Sequence, residues 1–304
     1  MMQYIEIKKR MNRFSRVIPL VGLCLTMASC NDTEGTIGLS SEPVALGIGT
    51  IDVPDQPSTR AGVTTGKIGI YVTKSDFYPS ITNREGAYSS SKWTPASAIW
   101  LNNKNAEVAV VWPKQSGNAT FGLQAKEWNS SEDIFSGKRT DVNNQNGATL
   151  TFDNLKPVYT RLKLTVNKVD TYKGPGKWSK ISLSGANIHQ QGNYNPLTEK
   201  VDAQTGVGYT KEISPEKSID GGVIDLRLLP VDALTEDMTL VLTVDGKDMS
   251  VKVPKDQFNR TKMERGTYYE LAVKVSTIGV IIQSLQFNEW ENTAKIIESG
   301  TSQS

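Results

Sequence analysis

The sequence predicts an all-β protein made of two β-sandwiches in tandem. Three observations carry that prediction. Large apolar residues fall at every second position in short runs, Gly, Asn, Asp and Pro punctuate those runs, and no long stretch after the first thirty residues has helical periodicity. The roughly 270 residues beyond that N-terminal stretch suit two ordinary domains, because single cores stop growing near this size.

The first element is an export signal over residues 1–29. Lys8, Lys9, Arg10, Arg13 and Arg16 lead into an apolar run over 17–28, followed by Ser29 and Cys30. That run is too short to span a bilayer. Ala28-Ser29 directly before Cys30 resembles a lipobox, at which the thiol is acylated and the chain is cut, whereas Cys24 fits worse behind the bulky Leu23. The expected mature chain starts at lipidated Cys30 and folds outside the cytoplasm, at the outer membrane or cell surface. Its acyl chains contribute about 0.8 kcal/mol per buried methylene to the anchor. The acidic stretch Asn31-Asp32-Thr33-Glu34-Gly35 resembles a surface-export tag of Bacteroidetes lipoproteins, and also reads as a plain polar tether.

Loss of residues 1–29 removes five basic residues and one acidic one, so the formal charge moves from +2 to −2. The remaining charges are scattered and mixed in sign, which gives no footprint for nucleic acid. Both cysteines lie at or before Cys30, so no internal disulfide is expected and stability must come from a core.

Residues 30–60 form the next element, a lipidated segment containing one strand whose apolar teeth are Val44, Leu46 and Ile48. Two prolines and small polar residues over 52–62 then indicate an exposed linker carrying Arg60 and Ala61. The first sandwich is expected over 61–156, with strands at 67–73 and 106–112, the latter ended by Pro113, which offers no amide hydrogen to a ladder. Asn146-Gly147 opens a turn before a further strand at 148–152. The boundary falls near Lys156-Pro157. The second sandwich, 157–304, carries strand signals at 159–166, 179–184, 222–229, 238–244, 247–253, 268–276 and 279–287. Asp245-Gly246 accepts the positive φ values of a two-residue hairpin turn.

No catalytic residue, cofactor or metal is expected, although two acids spaced across a cleft suffice for a glycosidase, which leaves a secreted hydrolase as a third reading. His189, the only histidine, sits in a polar stretch that reads as a surface loop, with no partner from which to build a base or metal site. Gly47-Ile48-Gly49 and Gly206-Val207-Gly208 lack the strand-loop-helix setting of a phosphate cradle. The acids Glu132-Asp133, Glu236-Asp237 and Glu289/Glu291 fall in polar or terminal positions, where solvated charge explains them, and Asp52 and Asp55 lack the spacing of a calcium loop. Among six tryptophans, Trp93, Trp128 and Trp178 lie among polar residues and are the candidate sugar-stacking platforms. Trp100, Trp112 and Trp290 border apolar runs and read as core.

Several spaced pieces together resemble the fimbrillin-like (Mfa-like) family of Bacteroidetes, subunits of type V pili. They are the lipobox at Cys30, Thr59-Arg60-Ala61, Ile99-Trp100-Leu101-Asn102 leading to Ala109-Val110-Val111-Trp112-Pro113, and Gly266-Thr267-Tyr268-Tyr269 followed by residues 282–290. Two features depart from the pattern: Val-Val-Trp-Pro stands where Ala-Tyr-Tyr-Pro is typical, and no histidine lies near Pro157-Val158-Tyr159. The resemblance implies two transthyretin-like domains and assembly by donor-strand exchange. A trypsin-like protease cuts such subunits after an arginine, here Arg60, and removes the first strand. A strand of the next subunit then fills the groove. Val280, Ile282, Leu285 and Phe287 are the candidate donor residues. The partners implied are other pilus subunits, the processing protease, the membrane through the lipid, and a host or bacterial surface ligand for an adhesive subunit. The alternative reading is a surface glycan-binding lipoprotein using Trp93, Trp128 and Trp178.

Overall fold

The computed structural model of the chain describes residues 42–53 and 62–290. Among them all regular structure is strand, apart from four short 3-10 turns. The first strands are β1 (Val44–Ala45), β2 (Ile48–Ile51), β3 (Lys67–Val72), β4 (Ile81–Ser89), β5 (Lys92–Pro95), β6 (Trp100–Leu101) and β7 (Ala106–Trp112). Next come β8 (Phe121–Gln124), β9 (Lys126–Glu127), β10 (Phe135–Val142), β11 (Leu150–Phe152) and β12 (Lys156–Pro157). The second half holds β13 (Thr160–Lys168), β14 (Lys177–Ser184), β15 (His189–Asn195), β16 (Lys200–Val207) and β17 (Tyr209–Ser218). It ends with β18 (Gly222–Leu228), β19 (Met238–Val244), β20 (Lys247–Val253), β21 (Thr267–Ser276) and β22 (Gly279–Glu289).

Eight strands of the first half join in the order β11-β2-β5-β4-β3-β7-β10-β12, with β1 and β6 paired beside them. The even positions of β3 (Ile68, Ile70, Val72) and of β7 (Val108, Val110) enter one core with Leu46, Ile48, Ile51, Trp93, Leu101 and Phe152. The opposite faces of the same strands, at Tyr71, Ala109 and Val111, belong to a second core. Strands covered on both faces bury nearly every residue, which is why β7 reads as a continuous apolar run rather than a strict alternation.

In the second half, a five-stranded sheet (β22-β21-β13-β18-β9) faces a four-stranded one (β17-β14-β19-β20). Leu162, Leu164, Val166, Leu226, Leu271 and Val273 on one side pack with Ile181, Leu183, Leu240 and Leu242 on the other. β13 and β21 run parallel, and every other neighbour in these two sheets is antiparallel. The Asp245-Gly246 hairpin forms as expected, with φ of 50° and 75°.

Residues 121–127 belong by sequence to the first half but pair with the second. β8 completes a three-stranded sheet with β15 and β16, and β9 lies against β18. Phe121 and Leu123 are buried there, and the Phe121 ring sits 5.4 Å from that of Tyr194. The polar strands β4, β10, β15, β16 and β17 carry no clear apolar signal in the sequence. His189, expected in a loop, opens β15 and is half-buried.

Candidate functional site

Residues 42–53 cross the first half as two short strands, β1 paired with β6 and β2 interior to the eight-stranded sheet. Leu46, Ile48 and Ile51 are essentially inaccessible, while Val44, in a two-residue strand, is only half-buried. Burial of an aliphatic side chain of this size stabilises by about 1.5–3 kcal/mol.

The backbone is stitched on both sides. β1 pairs with β6 through Val44 with Leu101 and Ala45 with Trp100, and Leu46 N donates to Ile99 O at 2.8 Å. On the other flank Gly47 N donates to Gly147 O at 2.8 Å and Leu150 N to Gly47 O at 2.9 Å. β2 then lies parallel to β11, Ile48 beside Leu150 and Ile51 beside Phe152, and touches β5 at Trp93. Asp52 N donates to Phe152 O at 3.0 Å, Leu155 N to Asp52 O at 2.7 Å, and Val63 N to Ile51 O at 2.8 Å. Asn144 Nδ2 reaches back to Glu42 O at 2.9 Å.

This segment is the sole bridge between β11 and β5 in the sheet order. Its departure would leave β11 unpaired and open a slot floored by Trp93, Leu101, Leu150 and Phe152, a ready template for another strand. Cys30, Arg60 and Ala61 lie outside the described residues.

Val280, Ile282, Leu285 and Phe287 all lie in β22, the outermost strand of the five-stranded sheet. They stand opposite Val275, Val273, Leu271 and Tyr269 of β21. Val280 is buried and Phe287 is 43% exposed, its ring 5.9 Å from that of Tyr269.

The tryptophans distribute differently from the sequence expectation. Trp93 and Trp178 are wholly enclosed in the two cores, so neither offers a ring face to a sugar. On β5 the order Lys92 out, Trp93 in, Thr94 out puts the ring inside despite polar sequence neighbours. Trp100, expected in the core, is 62% exposed, because in the two-residue β6 Leu101 takes the inward position. Trp128 is half-buried and fully engaged. The Arg161 guanidinium lies 3.4 Å from its ring centroid, and its Nε1 donates to both Asp133 carboxylate oxygens at 3.2 Å. Trp112 donates from Nε1 to Thr65 O at 3.0 Å, and Trp290 is buried.

Buried arginines are the feature that sequence reasoning missed. Arg161 and Arg227 stand opposite each other on β13 and β18, 6% and 4% exposed. Arg161 makes a two-pronged pair with Asp225 at 2.9 and 2.7 Å, and Arg227 holds Glu132 at 2.9 Å. Bonds from Lys126 and Arg227 keep the Glu132 carboxyl below its ordinary range. The only signal of this cluster is alternation: in Thr-Arg-Leu-Lys-Leu the arginine falls on the outward face, and only the fold shows that Trp128 covers it. Glu132 and Asp133 are thus structural partners, as is Asp237, which accepts from Lys255 N at 3.0 Å. Among the described residues no three His, Cys, Asp or Glu side chains are placed to hold a metal ion.

A family model described as fimbrillin-like matches residues 59–290. Comparison with curated proteins gives no match. Among solved structures, a candidate cell adhesion protein from Bacteroides uniformis ATCC 8492 superposes with a TM-score of 0.54 at 18% identity, covering 82% of this chain and 99% of that one. That likeness is one of fold. A candidate cell adhesion protein from Bacteroides ovatus ATCC 8483 (TM-score 0.48, 15% identity, 83% and 99% covered) is also similar. So is the C-terminally truncated tip fimbrial protein Mfa3 of Porphyromonas gingivalis (0.47, 11%, 82% and 99%). With the family model spanning most of the chain over a β-sandwich architecture, the protein belongs to the fimbrillin-like family.

Proposed function

We propose that this chain is a structural or adhesive subunit of a type V-like pilus, made as a lipoprotein precursor acylated at Cys30 and assembled by strand replacement. Family membership supports the coarser part, a pilus subunit at the cell surface. The finer part rests on one observation: residues 42–53 are a single short segment whose strand β2 is interior to the first sheet, joined to the rest of the chain through the 54–61 stretch that contains Arg60.

A trypsin-like cut after Arg60 would free that segment together with Cys30. The lipid would then act as a temporary tether, and one event would both release the subunit and open its slot. Strand entry would restore the ladder bonds and bury the exposed apolar floor. Donation by Val280, Ile282, Leu285 and Phe287 would require β22 to leave β21. In this scheme the protein is not an enzyme. The glycan-binding alternative has no observation in its favour, since two of its three rings are enclosed and the third is occupied by Arg161.

Limited digestion of the purified precursor with a trypsin-like protease tests the scheme. Cleavage after Arg60 with appearance of oligomers is the expected result. Resistance, with the protein shed from neither membrane nor vesicle, would instead assign an uncut anchor subunit.

A further inference from the structure

Where residues 42–53 cross the first sheet, two glycines meet backbone to backbone. Gly47 N donates to Gly147 O at 2.8 Å, and Leu150 N donates to Gly47 O at 2.9 Å. A methyl group placed on Gly47 would lie 2.3 Å from the carbonyl oxygen of Ala148, closer than real Cβ atoms come to anything. The obstacle is backbone, held in the short 3-10 turn Gly147–Thr149, so no side chain can swing aside. Gly147 is crowded in a different way: a methyl there would fall 1.9 Å from Leu101 Cδ1, the end of a side chain rather than backbone. Gly49, two residues on in the same segment, is different: its nearest neighbours would be 3.9 Å away, ordinary contact. The glycine at 47 is therefore demanded by space, whereas the one at 49 is not. On either side of it, Leu46 and Ile48 are buried, and Ile51 fills a further apolar position.

We propose that this seat reads a sequence code: whichever strand occupies it must present a large apolar residue, a glycine and a second large apolar residue at the positions of Leu46, Gly47 and Ile48. The occupant is an extended strand of a neighbouring fimbrial subunit that carries this triplet, so the inference rests on the strand-replacement reading and specifies which strands it admits. A side chain at the central position must either displace the Ala148 carbonyl or break the flanking bonds to Gly147 and Leu150. Overpacking of that kind weakens seating by roughly 10- to 100-fold.

Two measurements test this. In the intact chain, hydrogen exchange at Gly47, Leu150 and Leu155 is compared among wild type, Gly47→Ala and Gly49→Ala, with β13 and β21 amides reporting that the rest stays folded. Gly47→Ala is expected to lose at least about tenfold protection at those sites and Gly49→Ala to keep it, and equal behaviour of the two variants would overturn the proposal. In the second, chain cleaved after Arg60 is offered labelled synthetic peptides of sequence 42–53, unmodified or carrying either substitution. Capture of the unmodified and Gly49→Ala peptides but not of Gly47→Ala is the expected pattern. Equal capture of all three would overturn the glycine requirement while leaving strand replacement standing. Capture of none would overturn strand replacement and the code with it.

Discussion

At the scale of single residues, burial and charge pairing decide what each side chain contributes. Ile48 is fully enclosed among Trp93, Leu150 and their neighbours, so Ile48→Ala should cost about 2–5 kcal/mol in a denaturant unfolding curve of the precursor. Val44→Ala, at a half-buried position, should cost clearly less. The tyrosines give a pH signature. Burial pushes the Tyr71 and Tyr269 phenols up to about 12, and burial together with the nearby Glu127 charge does the same for Tyr209. An unfolded tyrosine ionises near 10, so between about 10 and 12 the folded chain holds protons that the unfolded chain has lost. Their contribution is therefore full below about pH 10 and is lost as pH rises through 12. In an alkaline titration these phenols should ionise only together with loss of near-ultraviolet dichroism. Tyrosinate absorbance complete before the fold changes would contradict this.

At the scale of elements, residues 42–53 and the 121–127 strap are two pieces whose partners lie far away in sequence. The alternating Val44, Leu46 and Ile48 signalled one strand, which the structure divides into β1 and β2. The position of β2 between β11 and β5 was not visible, because pairing depends on chain that returns a hundred residues later. Trp93 lies opposite Ile48, and its ring packs edge-on against Tyr88 at 5.3 Å. Displacement of the segment should therefore expose the indole and shift its fluorescence to longer wavelength, and Trp93→Phe should abolish that change. An unchanged spectrum after the segment has demonstrably left would show that the slot closes behind it. The polar strands β10 and β17 were illegible for a different reason: with sequences such as Phe-Ser-Gly-Lys-Arg-Thr-Asp-Val, hydrogen bonding to apolar neighbours, not their own pattern, makes them strands.

At the scale of the whole molecule, the halves share structure rather than meeting as separate beads. Tyr71, Ala109 and Val111 from the first sheet enter the second core, and β8 and β9 complete sheets of the second half. Arg265 adds a polar tie, donating to Ser136 O at 3.3 Å, Tyr194 Oη at 2.7 Å and Glu199 Oε1 at 2.5 Å. A fragment of residues 157–290 should accordingly bind a hydrophobic dye and exchange rapidly, because the β8 edge of β15 and the Tyr194 ring are uncovered. A fragment beginning at 119 should regain protection at β15 and β18. Equal protection in both fragments would show that the strap is dispensable.

What the sequence determined by itself was whatever one strand can state alone. Period-two burial in β13, β19 and β21, the Asp-Gly hairpin, the end of β7 at Pro113 and the all-β class all follow from local sterics and alternation. The tertiary structure decided everything that needs a neighbour. It put Trp93 and Trp178 inside and Trp100 outside, covered Arg161 with Trp128, and moved 121–127 to the other half. It also made Gly47 the one residue of its segment that only glycine can be. The alternation in Leu46-Gly47-Ile48 is local, but the Ala148 carbonyl that forbids a side chain there comes from a turn a hundred residues away.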